Sequence, residues 1–115
     1  PVEISIVIPE QEGCRYWVSL NLQNADELHL VVENFWLEWF PCTTPRVAEL
    51  YLEAVSGFLS GDYRIIERHL FGSRYLSLLQ KPTAGGWKTI GSCNSLGAGS
   101  PGLIKTREIR NVPLS

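Results

Sequence analysis

Thr44-Pro45-Arg46-Val47-Ala48-Glu49-Leu50-Tyr51-Leu52-Glu53-Ala54-Val55-Ser56-Gly57-Phe58-Leu59-Ser60-Gly61 decides the fold, because only this stretch carries a convincing helical period. Val47, Leu50, Tyr51, Ala54, Val55, Phe58 and Leu59 recur at three- and four-residue spacing, which gives one apolar face. Glu49 and Glu53 fall opposite it. Thr44 can cap the start with its side-chain oxygen, and Pro45 suits the first helical position, where its missing N–H is no loss. Gly61 sits where a left-handed residue ends a helix. Gly57 weakens the last turn by ~1 kcal/mol relative to alanine, so this end frays or packs closely on another backbone.

Upstream of the helix the period is two. Residues 2–8 alternate and are rich in β-branched side chains, residues 14–22 alternate again, and Leu28, Leu30 and Val32 share one face of a third segment. Phe35-Trp36-Leu37-Glu38-Trp39-Phe40 then either continues that strand past a bulge or turns at Glu33-Asn34 into a fourth. Downstream, residues 63–70, 75–79 and 87–91 read as a meander of antiparallel hairpins. Residues 92–102 are rich in Gly, Ser and Asn and are expected to form a flexible loop, with 103–115 as a tail or edge strand. The pattern predicts a single α+β domain: an antiparallel β-sheet of about six or seven strands with one helix packed on one face.

At 115 residues and 12.9 kDa the chain supports one core and no second domain. No apolar run approaches the ~18 residues of a membrane span. The net charge of −2 argues against a general nucleic-acid coat, although Lys105, Arg107 and Arg110 are bases available for phosphate. That balance hides an asymmetry. Residues 1–53 hold nine acids and two bases, and residues 54–115 hold three acids and eight bases, so the halves carry −7 and +5. Either the halves pair across one sheet, making opposite charges cross-strand neighbours, or the surface is bipolar and associates with itself or a charged partner. Cys14, Cys42 and Cys93 form no C-x-x-C pair, and no charged-then-apolar leader opens the chain. Together these predict free thiols and a cytoplasmic setting.

Motifs for chemistry are scarce. Gly97 to Gly102 lacks the Gly-Lys-Ser/Thr ending of a phosphate loop. His29 and Glu33 lie ~13 Å apart along a strand, too far to pair, while His69 and Glu67 share a face at ~6.6 Å. Neither histidine stands in a metal motif, and no catalytic, metal or cofactor site is assigned. Cys42, just before the helix start, is the best placed thiol, though a small buried hydrophobe is the commoner role.

The aromatic segment carries the most information. Alternation puts Phe35, Leu37 and Trp39 on one face and Trp36, Glu38 and Phe40 on the other. One set fills the core beneath the helix. The second packs under the C-terminal tail or forms a binding or dimer face, which Trp17 and Trp87 would extend. Trp36, Glu38, Trp39, Phe40, Trp17 and Trp87 are therefore the candidates for an interface or a ligand site. The aromatic strand, the helix from Thr44 and the hairpins Tyr63–Gln80 and Trp87–Gly91 give residues 27–91 a layout that resembles small bacterial accessory proteins, of the toxin-immunity or integron gene-cassette kind. The resemblance implies a stand-alone, non-enzymatic protein, oligomeric or partner-binding. The expected function is protein–protein contact, as a homodimer or with a protein partner. The competing expectation is a small-ligand pocket between helix and sheet, lined by Trp36, Trp39, Tyr51, Tyr63 and Trp87 with Glu38, Glu67 or His69 as polar groups.

Overall fold

A computed structural model describes residues 2–69, 74–96 and 105–112. The fold is α+β. Strands β1 (Val2–Ile8), β2 (Val18–Gln23), β3 (Glu27–Val32) and β4 (Phe35–Trp39) form one antiparallel meander in that spatial order. Helix α1 (Pro45–Ser60) follows. Strands β5 (Arg64–His69), β6 (Arg74–Thr83), β7 (Gly86–Leu96) and β8 (Lys105–Ile109) form a second antiparallel sheet, ordered β7-β6-β5-β8. Among the described residues no helix is long and apolar enough to cross a membrane.

Among the described residues the strands number eight and divide between two sheets, where their sequence order alone predicts one sheet of six or seven. The reason lies where the sheets meet, at the edges of β4 and β7. No ladder joins these strands. Instead the Trp36 N–H donates to Cys93 Sγ (3.2 Å), and that thiol donates to the Asn34 carbonyl (3.6 Å). A side chain from β7 thereby satisfies backbone groups on the β4 edge that a neighbouring strand would otherwise pair. Gly91 lets β7 come this close, since a Cβ there would overlap a methyl of Leu37. Burial pushes the Cys93 thiol pKa up, and the Trp36 N–H pulls weakly the other way, so the group stays a neutral strut.

Both sheets and the helix contribute to one core. Val18, Leu30, Val32 and Phe35 come from the first sheet, Tyr51, Ala54, Val55 and Phe58 from the helix, and Ile65, Leu79 and Ile109 from the second sheet. A turn at Glu33-Asn34, with Glu33 at φ +53°, joins β3 to β4, so the aromatic segment is a fourth strand and not a bulged third.

The helix ends are closed by distant parts of the chain. Thr44 occupies the N-cap position, but its hydroxyl makes no capping bond; its carbonyl accepts from the N–H groups of Val47 (3.0 Å) and Ala48 (3.3 Å). At the other end Gly61 adopts φ +85° and donates to the Phe58 carbonyl. The last carbonyls, orphaned in any helix, accept from Asn111 Nδ2 at Phe58 (3.1 Å) and Leu59 (3.5 Å). Arg110 Nε donates to the carbonyl of Gly61 at 2.6 Å. Gly57 is needed because a Cβ there would overlap the ring of Tyr63. The close neighbour expected of Gly57 is thus Tyr63, by its ring and also by its backbone, whose N–H donates to the Gly57 carbonyl at 2.9 Å.

Residues 92–96 of the expected loop form the end of β7, and 97–102 lie outside the described residues. Lys105–Ile109 pairs with β5 as an edge strand. The two charge halves do not interleave in one sheet. The acidic half builds the first sheet and most of α1, the basic half builds the second sheet, and Glu33–Arg107 (3.3 Å) is the ion pair joining them among the described residues.

Candidate functional site on the outer face of the first sheet

The turn at residues 33–34 fixes the register that builds this site. Val32 pairs with Phe35, so Val31 faces Trp36, Leu30 faces Leu37 and His29 faces Glu38. Side chains alternate along each strand, so Leu30, Leu37 and Trp39 point to the core side and His29, Trp36 and Glu38 to the other. Asn21 lies opposite His29 on β2, and Ser5 lies opposite Asn21 on β1. One row across the sheet therefore reads Ser5, Asn21, His29, Glu38. The next reads Val7, Ser19, Val31, Trp36. Ser5 Oγ donates to Asn21 Oδ1 at 2.8 Å, and Ser19 Oγ donates to the same atom at 3.3 Å.

On this face Trp36 is 46% exposed and Phe40, just past the end of β4, is 58% exposed; Glu38 is exposed as well. His29 behaves differently. It is only 3% exposed, with the Trp36 ring tilted against it at a centroid distance of 5.0 Å. Neither ring nitrogen has a hydrogen-bond partner. Leaving a buried polar group unpaired costs about 1–3 kcal/mol, so the position calls for an explanation. The nearest carboxylate oxygen, Glu27 Oε2, lies 3.7 Å from Nε2, beyond hydrogen-bond range. Glu27 Oε2 itself accepts from Asn24 Nδ2 at 3.2 Å. Two His29 neighbours, Glu27 and Glu38, escape a reading along the chain that compares His29 with Glu33. A two-residue turn at 33–34 is the signal that would have paired position 29 with 38.

From the core side, Tyr51 Oη donates to the His29 carbonyl at 2.9 Å and its ring meets Trp39 edge-on at 5.3 Å. Burial pushes the Tyr51 pKa up to about 12. The folded form holds this proton more tightly than the unfolded chain does, so Tyr51 contributes its full stability below pH 10. That contribution is lost as pH rises from 10 to about 12. A pH series of urea unfolding is expected to show this alkaline loss in the wild type and a smaller one in Tyr51→Phe, where the raised Tyr63 and Cys93 groups remain.

The other sequence candidates are dispersed. Trp39 is partly buried on the core side, and Trp17 precedes β2 at 46% exposure. Trp87 on β7 lies under the guanidinium groups of Arg64 (4.1 Å) and Arg110 (5.2 Å). Tyr63 packs at Gly57. Glu67 is buried and accepts from Asn34 Nδ2 at 3.1 Å, while His69 stacks on Tyr75 at 4.9 Å. Trp36 and Trp39 point to opposite faces of β4, so these residues do not all line one cavity between helix and sheet. One groove among the described residues is lined by Ile8, Gln11, Cys14 and Leu59. Arg107 and Arg110 are engaged with Glu33 and Gly61, so two of the three bases considered for phosphate have internal partners. Cys42 is half-buried, its thiol 4.0 Å from the Ala25 carbonyl.

Comparison with known proteins gives no match: no family model, no curated protein and no solved structure is similar to the chain.

Proposed function

We propose that the protein is a non-catalytic accessory protein that works by protein–protein contact, first by pairing with a second copy of itself along β1. The observation that carries this reading is the state of that strand. β1 is the terminal strand of the first sheet, and Ile4, Ile6 and Val7 are each half exposed on it. Past the register shift between Val2 and Ile4, the stretch Ile4–Ile8 carries no charge, no Pro and no bulge, so it lacks the usual devices that stop strands from pairing between chains. Its sequence is also self-complementary. Antiparallel pairing about a two-fold axis at Ser5 sets Ile4 against Ile6 of the second copy, so no like charges face each other over Ile4–Ile8. The joined sheets then present Trp36 and Phe40 from both copies on one continuous face, a contact surface for a protein partner. The likeness in layout to small bacterial accessory proteins agrees with this role. Free thiols at Cys14, Cys42 and Cys93 support a reducing, cytoplasmic setting.

Light scattering over a dilution series tests the pairing. The wild type is expected to pass from dimer to monomer on dilution. Ile6→Lys places a charge at two symmetric positions and is expected to cost about 2 kcal/mol at each, roughly a thousandfold in Kd. The acidic halves approach one another in this dimer, so added salt is expected to strengthen it. Association driven by the −7 and +5 halves would weaken with salt instead. A wild type that is monomeric at every concentration contradicts the proposal.

A further inference from the structure

We propose that Glu27, His29 and Glu38 bind a divalent transition-metal ion, with Zn2+ as the best fit. Glu27 and His29 are two residues apart on β3 and share its outer face, and Glu38 stands directly opposite His29 on β4. One ligand atom from each residue lies within 4.8 Å of the other two.

The spacing between Glu27 and His29 separates a metal site from a plain His–Glu pair. A hydrogen-bonded pair would close to about 2.8 Å. The 3.7 Å between His29 Nε2 and Glu27 Oε2 is instead close to the ~3.4 Å between two ligand atoms of a tetrahedral zinc with bonds near 2.1 Å. The imidazole is the fixed member, since it is almost fully buried and packed against Trp36. Both of its nitrogens lack hydrogen bonds, so a lone pair is free for a metal. Glu38 is exposed and Glu27 keeps a quarter of its side chain in solvent, so both carboxylates can swing about an ångström to close the site.

Charge and chemistry agree with this assignment. Among the described residues no Lys or Arg pairs with Glu27 or Glu38, and the half of the chain that builds this sheet carries −7. A divalent ion would neutralise the two carboxylates. An imidazole nitrogen in the donor set selects against Mg2+ and Ca2+, which take oxygen, and for zinc and its first-row neighbours. Three protein ligands leave one tetrahedral position for water or a group from a partner.

The test uses the full chain, stripped with a chelator, checked for folding by circular dichroism and titrated with Zn2+ by calorimetry. Co2+ serves as a visible stand-in whose absorption reports nitrogen and oxygen ligands, and it should quench Trp36, whose ring lies 5.0 Å from that of His29. One equivalent of ion is expected to bind and to raise the melting temperature. Glu38→Gln and Glu27→Gln are each expected to weaken binding by about tenfold or more, and His29→Asn to abolish it. Should His29→Asn fail to fold, the two glutamate variants, altered at solvent-accessible carboxylates, carry the test. Absence of uptake by the folded wild type overturns the proposal. So does uptake unchanged in the double variant Glu27→Gln/Glu38→Gln, or a cobalt spectrum with thiolate bands, since either places the ion elsewhere.

Discussion

Phe58→Ala is expected to destabilise the protein by about 3–5 kcal/mol, near the upper end for a single core truncation. Phe58 is fully buried and, with Phe35, is among the largest side chains in the core. Its helix lacks local supports at its start. There is no side-chain N-cap bond, no acid in the first turn and no base in the last. A short helix of this kind owes its stability to its apolar face, here Tyr51, Ala54, Val55 and Phe58. Removing the ring therefore loosens the layer that joins the two sheets as well as opening a cavity. Total stabilities of small domains are roughly 5–15 kcal/mol, so urea unfolding should show a large drop in midpoint, and the melting temperature should fall by roughly 10–20 °C. Phe58→Leu, which keeps most of the volume, is expected to cost no more than about 1.5 kcal/mol. Equal losses for the two variants would mean that packing at this position is not what anchors the helix.

Asn111→Ala is the polar counterpart, with an expected cost of about 2–4 kcal/mol. Asn111 is 1% exposed and uses both ends of its amide. Its Oδ1 accepts from the Arg15 N–H at 2.8 Å, and its Nδ2 donates to the carbonyls of Phe58 and Leu59. One side chain after β8 thereby ties the approach to β2 to the end of the helix. Truncation takes this partner from the Arg15 N–H and the Leu59 carbonyl and leaves the Phe58 carbonyl with the Gly61 N–H alone, in a place where water enters poorly. Asn111→Asp makes the argument specific. A carboxylate still accepts from Arg15 but cannot donate to the two carbonyls, and its charge faces their oxygens. It is expected to destabilise at least as much as alanine at neutral pH, with part of the loss recovered on acidification as the carboxyl gains a proton. An aspartate variant as stable as the wild type would show that the two carbonyl contacts contribute nothing.

The features legible in the sequence are the local ones. The period of the segment after Thr44 gives the helix, and the alternation of Phe35 to Phe40 assigns each side chain to a face, with Phe35 buried and Trp36 exposed. Gly61 ends the helix by its own backbone preference. The division into two sheets was not legible, because it depends on how β4 meets β7 across nearly sixty residues. There Cys93 and Gly91 act through the absence of a clash and a single thiol. Asn111 reaches Arg15 across 96 residues and looks like any polar residue near a tail. Sequence spacing sets His29 against Glu33, its neighbour along the strand, whereas the hairpin turn sets it against Glu38. Pairwise register was the missing information in each case, and composition does not encode it.

The central claim, that β1 is a pairing edge, is tested most directly by amide hydrogen exchange along Val2–Ile8 at high and low protein concentration. The amides facing away from β2 should be protected at high concentration and exchange freely after dilution, while those bonded to β2 stay protected in both. In Ile6→Lys the outward amides should exchange freely at either concentration. Outward amides of the wild type that exchange equally fast at every concentration would contradict the account.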